Sequence, residues 1–286
     1  MGLRHHIPVS LVFLSNLEML ALQNNFLSGP IPDFFGSVSN LTILSLSNNS
    51  LTSSIPSSIA DLSALLMLDL NTNLLTGFIP ANFEEAAFLN TLLVFYLGEN
   101  HIEGPLPASL SRMTNLRQLY VTENLLSGPL PALCNMVYLN YLGLATNAFS
   151  GSIPPCMDSN VALKNLYMNY NHLNGSIPSS LGNISSLNYL EIGSNCLEGR
   201  IPSELGLLSH LQVLELFDNR LIGRIPPELG SLVHVHTLKL HQNNLGGTIP
   251  AEIGNITALS LLLLFTNELT GGAYVVSHVV LTVCCC

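Results

Sequence analysis

The feature that most constrains this chain is a segment that returns along almost its whole length. Leu17-x-x-Leu20-x-Leu22-x-x-Asn25-x-Leu27-x-Gly29-x-Ile31-Pro32 recurs with its asparagine at Asn25, Asn49, Asn73, Asn100, Asn124, Asn147, Asn171, Asn195, Asn219, Asn243 and Asn267. The interval is 24 residues, except for one of 27 after Asn73 and one of 23 after Asn124. A fixed period of this length means a stack of identical supersecondary units, not a globule closed around one centre.

Each position in the unit has a physical task. Apolar residues alternate in x-Leu-x-Leu-x, which predicts a short strand with its leucines inward and its x residues outward. The asparagine follows where the chain must turn. Its amide both donates and accepts, so it can satisfy backbone groups buried between coils, and its repetition predicts a ladder. Gly stands four residues later in every unit but one, where Ser53 replaces it, and suits a tight bend. Pro after Ile or Leu, from Pro8 to Pro250, keeps the next arm out of helix interiors and central strands. One coil alone buries too little to offset the roughly 1–2 kcal/mol per residue of ordering, so stability comes from stacking. Strands about 4.8 Å apart give a rod roughly 50 Å long.

The pattern Asn171-x-Leu173-x-Gly175-x-Ile177-Pro178 closely resembles the plant-specific class of leucine-rich repeat, over about residues 3–271. The chain is similar to the ectodomains of plant leucine-rich-repeat receptor-like kinases and receptor-like proteins. The resemblance implies an α/β solenoid: a right-handed superhelix with a concave parallel β-sheet, about eleven repeats and uncapped ends. Residues 1–271 would form the solenoid, starting within a repeat, and 272–286, ending in Cys284-Cys285-Cys286, a disordered non-repeat tail. The apolar stretch Ile7 to Leu14 after Arg4, His5 and His6 also admits a signal-peptide reading, against which stand Pro8 and the unbroken register. The resemblance further implies a secretory, extracellular or plasma-membrane setting, with a peptide or protein ligand and a co-receptor ectodomain as partners in signalling or defence.

Composition narrows the function. The formal charge is −10, which disfavours nucleic acid, and charged residues are only 9% of the chain. No apolar run reaches the length of a membrane span. Neither a nucleophile triad nor a phosphate loop follows from the register, so the chain reads as a non-catalytic recognition module without cofactor or metal. His210, His234 and His236 lie near one another by register, but no thiol or carboxylate joins them, and a polar edge is the simpler reading.

The outward strand positions form the expected binding face. One column runs Asp69, Tyr96, Tyr120, Gly143, Tyr167, Glu191, Glu215, Lys239, flanked by Tyr141, Asn165, Tyr189 and Val213 on one side and Thr122, Asn169, Phe217 and His241 on the other. The expected ligand contacts are Tyr96, Tyr120, Tyr141, Tyr167, Tyr189, Glu191, Glu215 and Phe217. Aromatic rings supply contact area at small entropic cost, and carboxylates select a basic or amine-bearing ligand. Tyr and Phe also suit strands for purely structural reasons.

Five sequons, at Asn40, Asn48, Asn174, Asn183 and Asn255, are glycosylation candidates, although so Asn- and Ser-rich a chain forms sequons by chance. Cys134 and Cys156 fall in adjacent Pro-containing arms and are a disulfide candidate; two packed thiols are the alternative. The three-residue insertion near Glu84 to Asn90 is expected to bulge from the convex side. Two other functional readings stay open at this point. One is a secreted inhibitor of a cell-wall-degrading enzyme, resembling polygalacturonase-inhibiting proteins; the other is a non-functional truncated gene product.

Overall fold

In the computed structural model, residues 2–131, 133–134 and 136–271 are described. The expected tail, 272–286, lies outside them. The described residues form an open right-handed solenoid in which each coil contributes one strand to each of two parallel sheets. The concave sheet has 11 strands, from Met19–Ala21 to Leu261–Leu263, and the lateral sheet has 12, from Arg4–His5 to Glu268–Leu269. Every strand pairs only with those of the coils before and after it.

The leucine alternation acts as its pattern demands. In all but the first and last concave strands the central residue, such as Leu119, Leu142, Leu166 and Leu190, is fully buried, and so is the apolar residue two positions on. These side chains join the Ile of each Ile-Pro pair and the Leu of the following arm in one continuous apolar spine.

The lateral sheet is the main departure from the sequence reading. The Leu-x-Gly stretch after each asparagine, expected to be a bend, is itself a strand, as in Leu125–Pro129 and His172–Ser176. Pro30 and Pro129 stand at the last residue of such strands, so proline is tolerated in this sheet at a strand end. Where the arm after the proline is helical among the described residues, it is a 3-10 turn. Pro at its N-cap position, for instance Pro178 with φ −64° and ψ 129°, sets the extended entry. These turns pack closely: a Cβ at Gly182 or Gly206 would meet the backbone carbonyl of Glu204 or Glu228 in the next coil.

The asparagines form a hydrogen-bonded column between coils. Asn171 is typical. Its Oδ1 accepts from the Phe149 N–H at 3.0 Å, and its Nδ2 donates to the carbonyls of Leu144, Met168 and Asn169 at 3.0, 3.1 and 3.3 Å. The residue before each ladder asparagine turns left-handed, with φ between 51° and 58°. Thr72, Thr146 and Thr266 adopt this conformation despite a branched Cβ, which shows how firmly the neighbouring coils hold the turn.

The insertion does not bulge out. It folds as a second 3-10 turn, Ala87–Asn90, that buries Phe88 and Leu89. Phe88 meets Phe83 edge to face, with centroids 5.2 Å apart, and Phe95 lies 6.3 Å beyond Phe83. The insertion thus adds to the core because Phe88 faces inward, while Ala87 and Asn90 stay exposed. Among the described residues, no helix is long and apolar enough to cross a membrane.

Candidate functional site

Strand pairing sets the concave columns in register. Asp69, Tyr96, Tyr120, Gly143, Tyr167, Glu191, Glu215 and Lys239 are successive Cα partners. Gln118, Tyr141, Asn165, Tyr189, Val213 and Thr237 form the adjacent column. Each strand residue next to a buried leucine points outward, so both columns line the hollow of the solenoid.

Five tyrosines make one chain of contacts across these two columns. Ring centroids lie 6.0 Å apart for Tyr96 and Tyr120, 6.1 Å for Tyr120 and Tyr141, 5.5 Å for Tyr141 and Tyr167, and 6.3 Å for Tyr167 and Tyr189. The crossover from one column to the other is possible because Gly143 has no side chain: a Cβ there would run into the rings of Tyr120 and Tyr141. All five rings are half-buried. Tyr96 bonds to Gln118, Asn165 Nδ2 donates to the Tyr167 hydroxyl at 2.9 Å, and the Tyr189 hydroxyl donates to Gln212 Oε1 at 3.1 Å. Burial first, then nearby charge, pushes the Tyr96 and Tyr120 hydroxyls above their ordinary pKa, and Tyr141 rises further. The ladder is therefore a neutral, polar-tipped apolar bed.

A second aromatic group follows it. Phe217 and His241 stack nearly parallel at 5.0 Å, His241 and Phe265 stack at 4.4 Å, and Tyr170 meets Phe217 edge to face at 6.0 Å. Gly193 makes the room, since a Cβ there would enter the Phe217 ring. His241 is buried, its Nδ1 has no partner among the described residues, and burial lowers its pKa. Tyr170 and Phe265 escaped the sequence reading. Phe265 was reachable by register, two coils after Phe217, whereas Tyr170 sits at the left-handed turn outside the strand columns.

Carboxylates stand where the two groups meet. Lys239 Nζ lies 2.6 Å from Glu215 Oε1 and 5.8 Å from the centre of the Phe217 ring. One cation therefore faces two adjacent acids. The Glu191 side chain forms no hydrogen bond or ion pair among the described residues, and burial together with the charge of Glu215 pushes its pKa up to about 7, against the pull of Lys239. By contrast Asp69 is satisfied within the protein, accepting from the Ser45 and Ser47 hydroxyls at 3.0 and 2.6 Å. Asp218 likewise accepts from Ser194 at 2.8 Å. Glu191 is the acid left waiting for a charge.

The remaining sequence candidates lie elsewhere. All five sequon asparagines are exposed. Asn174 is on a lateral strand, and Asn183 and Asn255 close convex 3-10 turns. Asn40 and Asn48 spend their amides on Ser15 and Asn24. The Cα atoms of Cys134 and Cys156 are 5.5 Å apart with the two sulfurs joined. Cys156→Ser is expected to lower stability by about 3 kcal/mol under oxidising conditions, as closure of a loop of this length implies. Denaturant unfolding with and without reductant checks this, since only the parent chain should respond to the reductant. His210 Nδ1 lies 2.9 Å from the Ser185 carbonyl and His236 Nδ1 lies 3.0 Å from the Thr237 hydroxyl.

Comparison with known proteins adds to this geometry. A family model described as Leucine rich repeat matches residues 12–75, and a second, Leucine Rich Repeat, matches 162–184, 210–232 and 234–256. The comparison with curated proteins gave no match. Among solved structures, a TDR receptor superposes with a TM-score of 0.89 at 28% identity, over 94% of this chain and 46% of that one. The ectodomain of the Arabidopsis thaliana membrane receptor kinase GASSHO1/SCHENGEN3, in complex with Casparian strip integrity factor 2, gives 0.80 at 36% identity, over 94% and 35%. The Arabidopsis receptor kinase HAESA, in complex with the peptide hormone IDA and the co-receptor SERK1, gives 0.79 at 31% identity, over 94% and 48%. The chain thus spans less than half the length of each of these structures.

Proposed function

We propose, on the premise that this chain is a plant-type leucine-rich-repeat protein resembling receptor-kinase ectodomains, that its concave face takes a peptide carrying a cationic group beside Glu191. The single observation behind this reading is the join of a tyrosine ladder to an acid that has no ion-pair partner among the described residues. A cation placed there gains a half-buried, charge-assisted partner, while a second carboxylate would be repelled.

The ladder favours an extended peptide over a flat ligand. Its rings are tilted by 40–77° to one another, so they present edges and slots and offer no continuous plane. Successive centroids are 5.5–6.3 Å apart. An extended chain turns alternate side chains to one face, so a single peptide can lie along several coils. The similar HAESA structure, which holds the peptide hormone IDA, supports the same class of ligand. The recognition role is non-catalytic, residues 1–271 act as one stacked unit, and the setting is the extracellular side of a receptor-like protein, with a co-receptor ectodomain as the second partner. The exposed sequons, if the chain is secreted, carry glycans on the lateral and convex faces and beside the concave edge at Asn48.

Calorimetric titration of the chain with pooled extended peptides tests this. The basic pool is expected to give saturable heat and the acidic pool none. Equal binding of both pools, or of neither, would overturn the reading.

A further inference from the structure

Glu191 is hemmed in by aromatic rings. Its outward neighbours along the chain are Tyr189, two residues before it, and Gly193, two residues after. Gly193 has no side chain, and the Phe217 ring of the next coil takes that place: Cε1, Cδ1 and Cζ of the ring are the atoms nearest to a Cβ built there. In the preceding coil Tyr167 is the Cα partner of Glu191, and its ring centroid lies 6.3 Å from that of Tyr189. Rings thus hold three of the four adjoining positions. The fourth is Glu215, whose charge Lys239 already takes.

These walls are poor in free acceptors. The Tyr189 hydroxyl is spent on Gln212, the Tyr167 hydroxyl oxygen accepts from Asn165, and Phe217 has no polar side-chain atom. The unpaired Oδ1 of Asn169, in the preceding coil, is itself buried and does not face an incoming donor. A cation docking on Glu191 therefore meets one carboxylate and three rings. A lysine ammonium brings three N–H donors and an arginine five, and those turned away from Glu191 would lose water against the rings without gaining an acceptor. Lys239 supplies the contrast. Its ammonium lies 2.6 Å from Glu215 and 5.8 Å from the centre of the Phe217 ring, but its side chain is 27% exposed, which leaves its other donors open to water. Methyl groups on nitrogen remove the difficulty, because they carry the positive charge on a surface that packs against ring faces and needs no acceptor.

We propose that Tyr167, Tyr189, Glu191 and Phe217 form a box for a trimethylammonium group, carried by a trimethylated lysine of the bound peptide. This rests on the reading of the concave face as a site for a cationic peptide and names the cation. The group is placed on a peptide, and not on a free quaternary amine such as choline, because two walls of the box, Tyr167 and Tyr189, are also the last rings of the tyrosine ladder. A ligand that fills the box alone leaves the rest of that bed empty.

The test is calorimetric titration of the intact chain at pH 8, where Glu191 is ionised. One basic peptide pool is made in four forms, with lysine, arginine, trimethyl-lysine or its neutral tert-butyl isostere at the cationic position, and free choline is titrated beside them. The trimethyl-lysine form is expected to bind at least tenfold more tightly than each of the other three, and choline far more weakly still. Phe217→Leu and Tyr189→Leu should each cut affinity for the trimethyl-lysine form at least tenfold and for the lysine form less than threefold. Melting temperatures show that the variants fold, and two rings on opposite sides of Glu191 keep the test alive if one variant does not. The proposal is overturned if the lysine, arginine or isostere form binds as tightly as the trimethyl-lysine form, if the variants weaken every form equally, or if choline matches the peptide. Binding of the lysine form with no gain on methylation overturns this inference and leaves the concave reading standing, whereas binding by none of the forms overturns both.

Discussion

Asn171→Ala is expected to lower the unfolding free energy by about 2–3 kcal/mol, a large effect for one polar side chain. The reason is what the substitution leaves behind. Asn171 is buried, and its amide is the partner of the Phe149 N–H and of the Leu144 and Met168 carbonyls. Asn169 O also accepts from the Thr146 N–H at 2.9 Å, so it loses little. The Leu144 and Met168 carbonyls keep the amides of Asn147 and Asn195, at 3.3 and 3.0 Å, so the Phe149 N–H is the one group left without a partner among the described residues. That buried orphan costs about 1–3 kcal/mol, the weakened carbonyl bonds add to it, and the alanine gains almost nothing. Asn171→Asp should be no better, because a carboxylate cannot donate to carbonyls and would be a buried charge. Denaturant unfolding followed by circular dichroism measures the change. A loss under about 1 kcal/mol would mean that water replaces the amide and that the ladder is not what couples the coils.

Glu191→Gln should weaken binding of a basic peptide at least thirtyfold at pH 8, and hardly at all at pH 5.5. The sign follows from the raised pKa of about 7. Below that value the free chain holds Glu191 protonated, and a cationic ligand must displace the proton before it gains the contact. Parent affinity should therefore fall about tenfold as pH drops by one unit below the pKa, with a proton released on binding in that range. Folding responds in the opposite sense. A carboxyl whose folded pKa is raised binds more protons folded than unfolded, so stability declines as pH rises from the ordinary carboxylate range to about 7. Because the side chain is only half-buried, solvent screening leaves roughly 1 kcal/mol of this slope. Glu191→Gln should remove it, making the unliganded variant slightly more stable at neutral pH even as it binds worse. Binding of the variant equal to the parent at pH 8 would exclude Glu191 as the cation partner.

Much of this architecture was legible in the sequence because repetition turns counting into geometry. Once Asn124 and Asn147 are aligned, Tyr120 and Gly143 must share a column, and the strand register places them so. The lateral sheet was not legible. Leu-x-Gly is short, and the glycine needed for its positive φ also reads as a turn signal. The insertion misled for a related reason: counting shows where residues are added, but only packing shows that Phe88 turns inward. The tyrosine chain could be listed but not joined, since the crossover to Tyr141 depends on the space above Gly143. Nor could residue type show that Asp69 is satisfied by two serines while Glu191 stands unmatched.

Tyr141 lies at the centre of the ladder, between Tyr120 and Tyr167, and the functional account requires that a ligand rest on it. The direct measurement is the affinity of the tightest-binding basic peptide for Tyr141→Ala, beside the variant's melting temperature. The account predicts a loss of at least thirtyfold, about 2 kcal/mol or more, typical of a central aromatic anchor, with melting nearly unchanged. Undiminished affinity in a folded Tyr141→Ala chain would contradict it, leaving the five rings as strand packing alone.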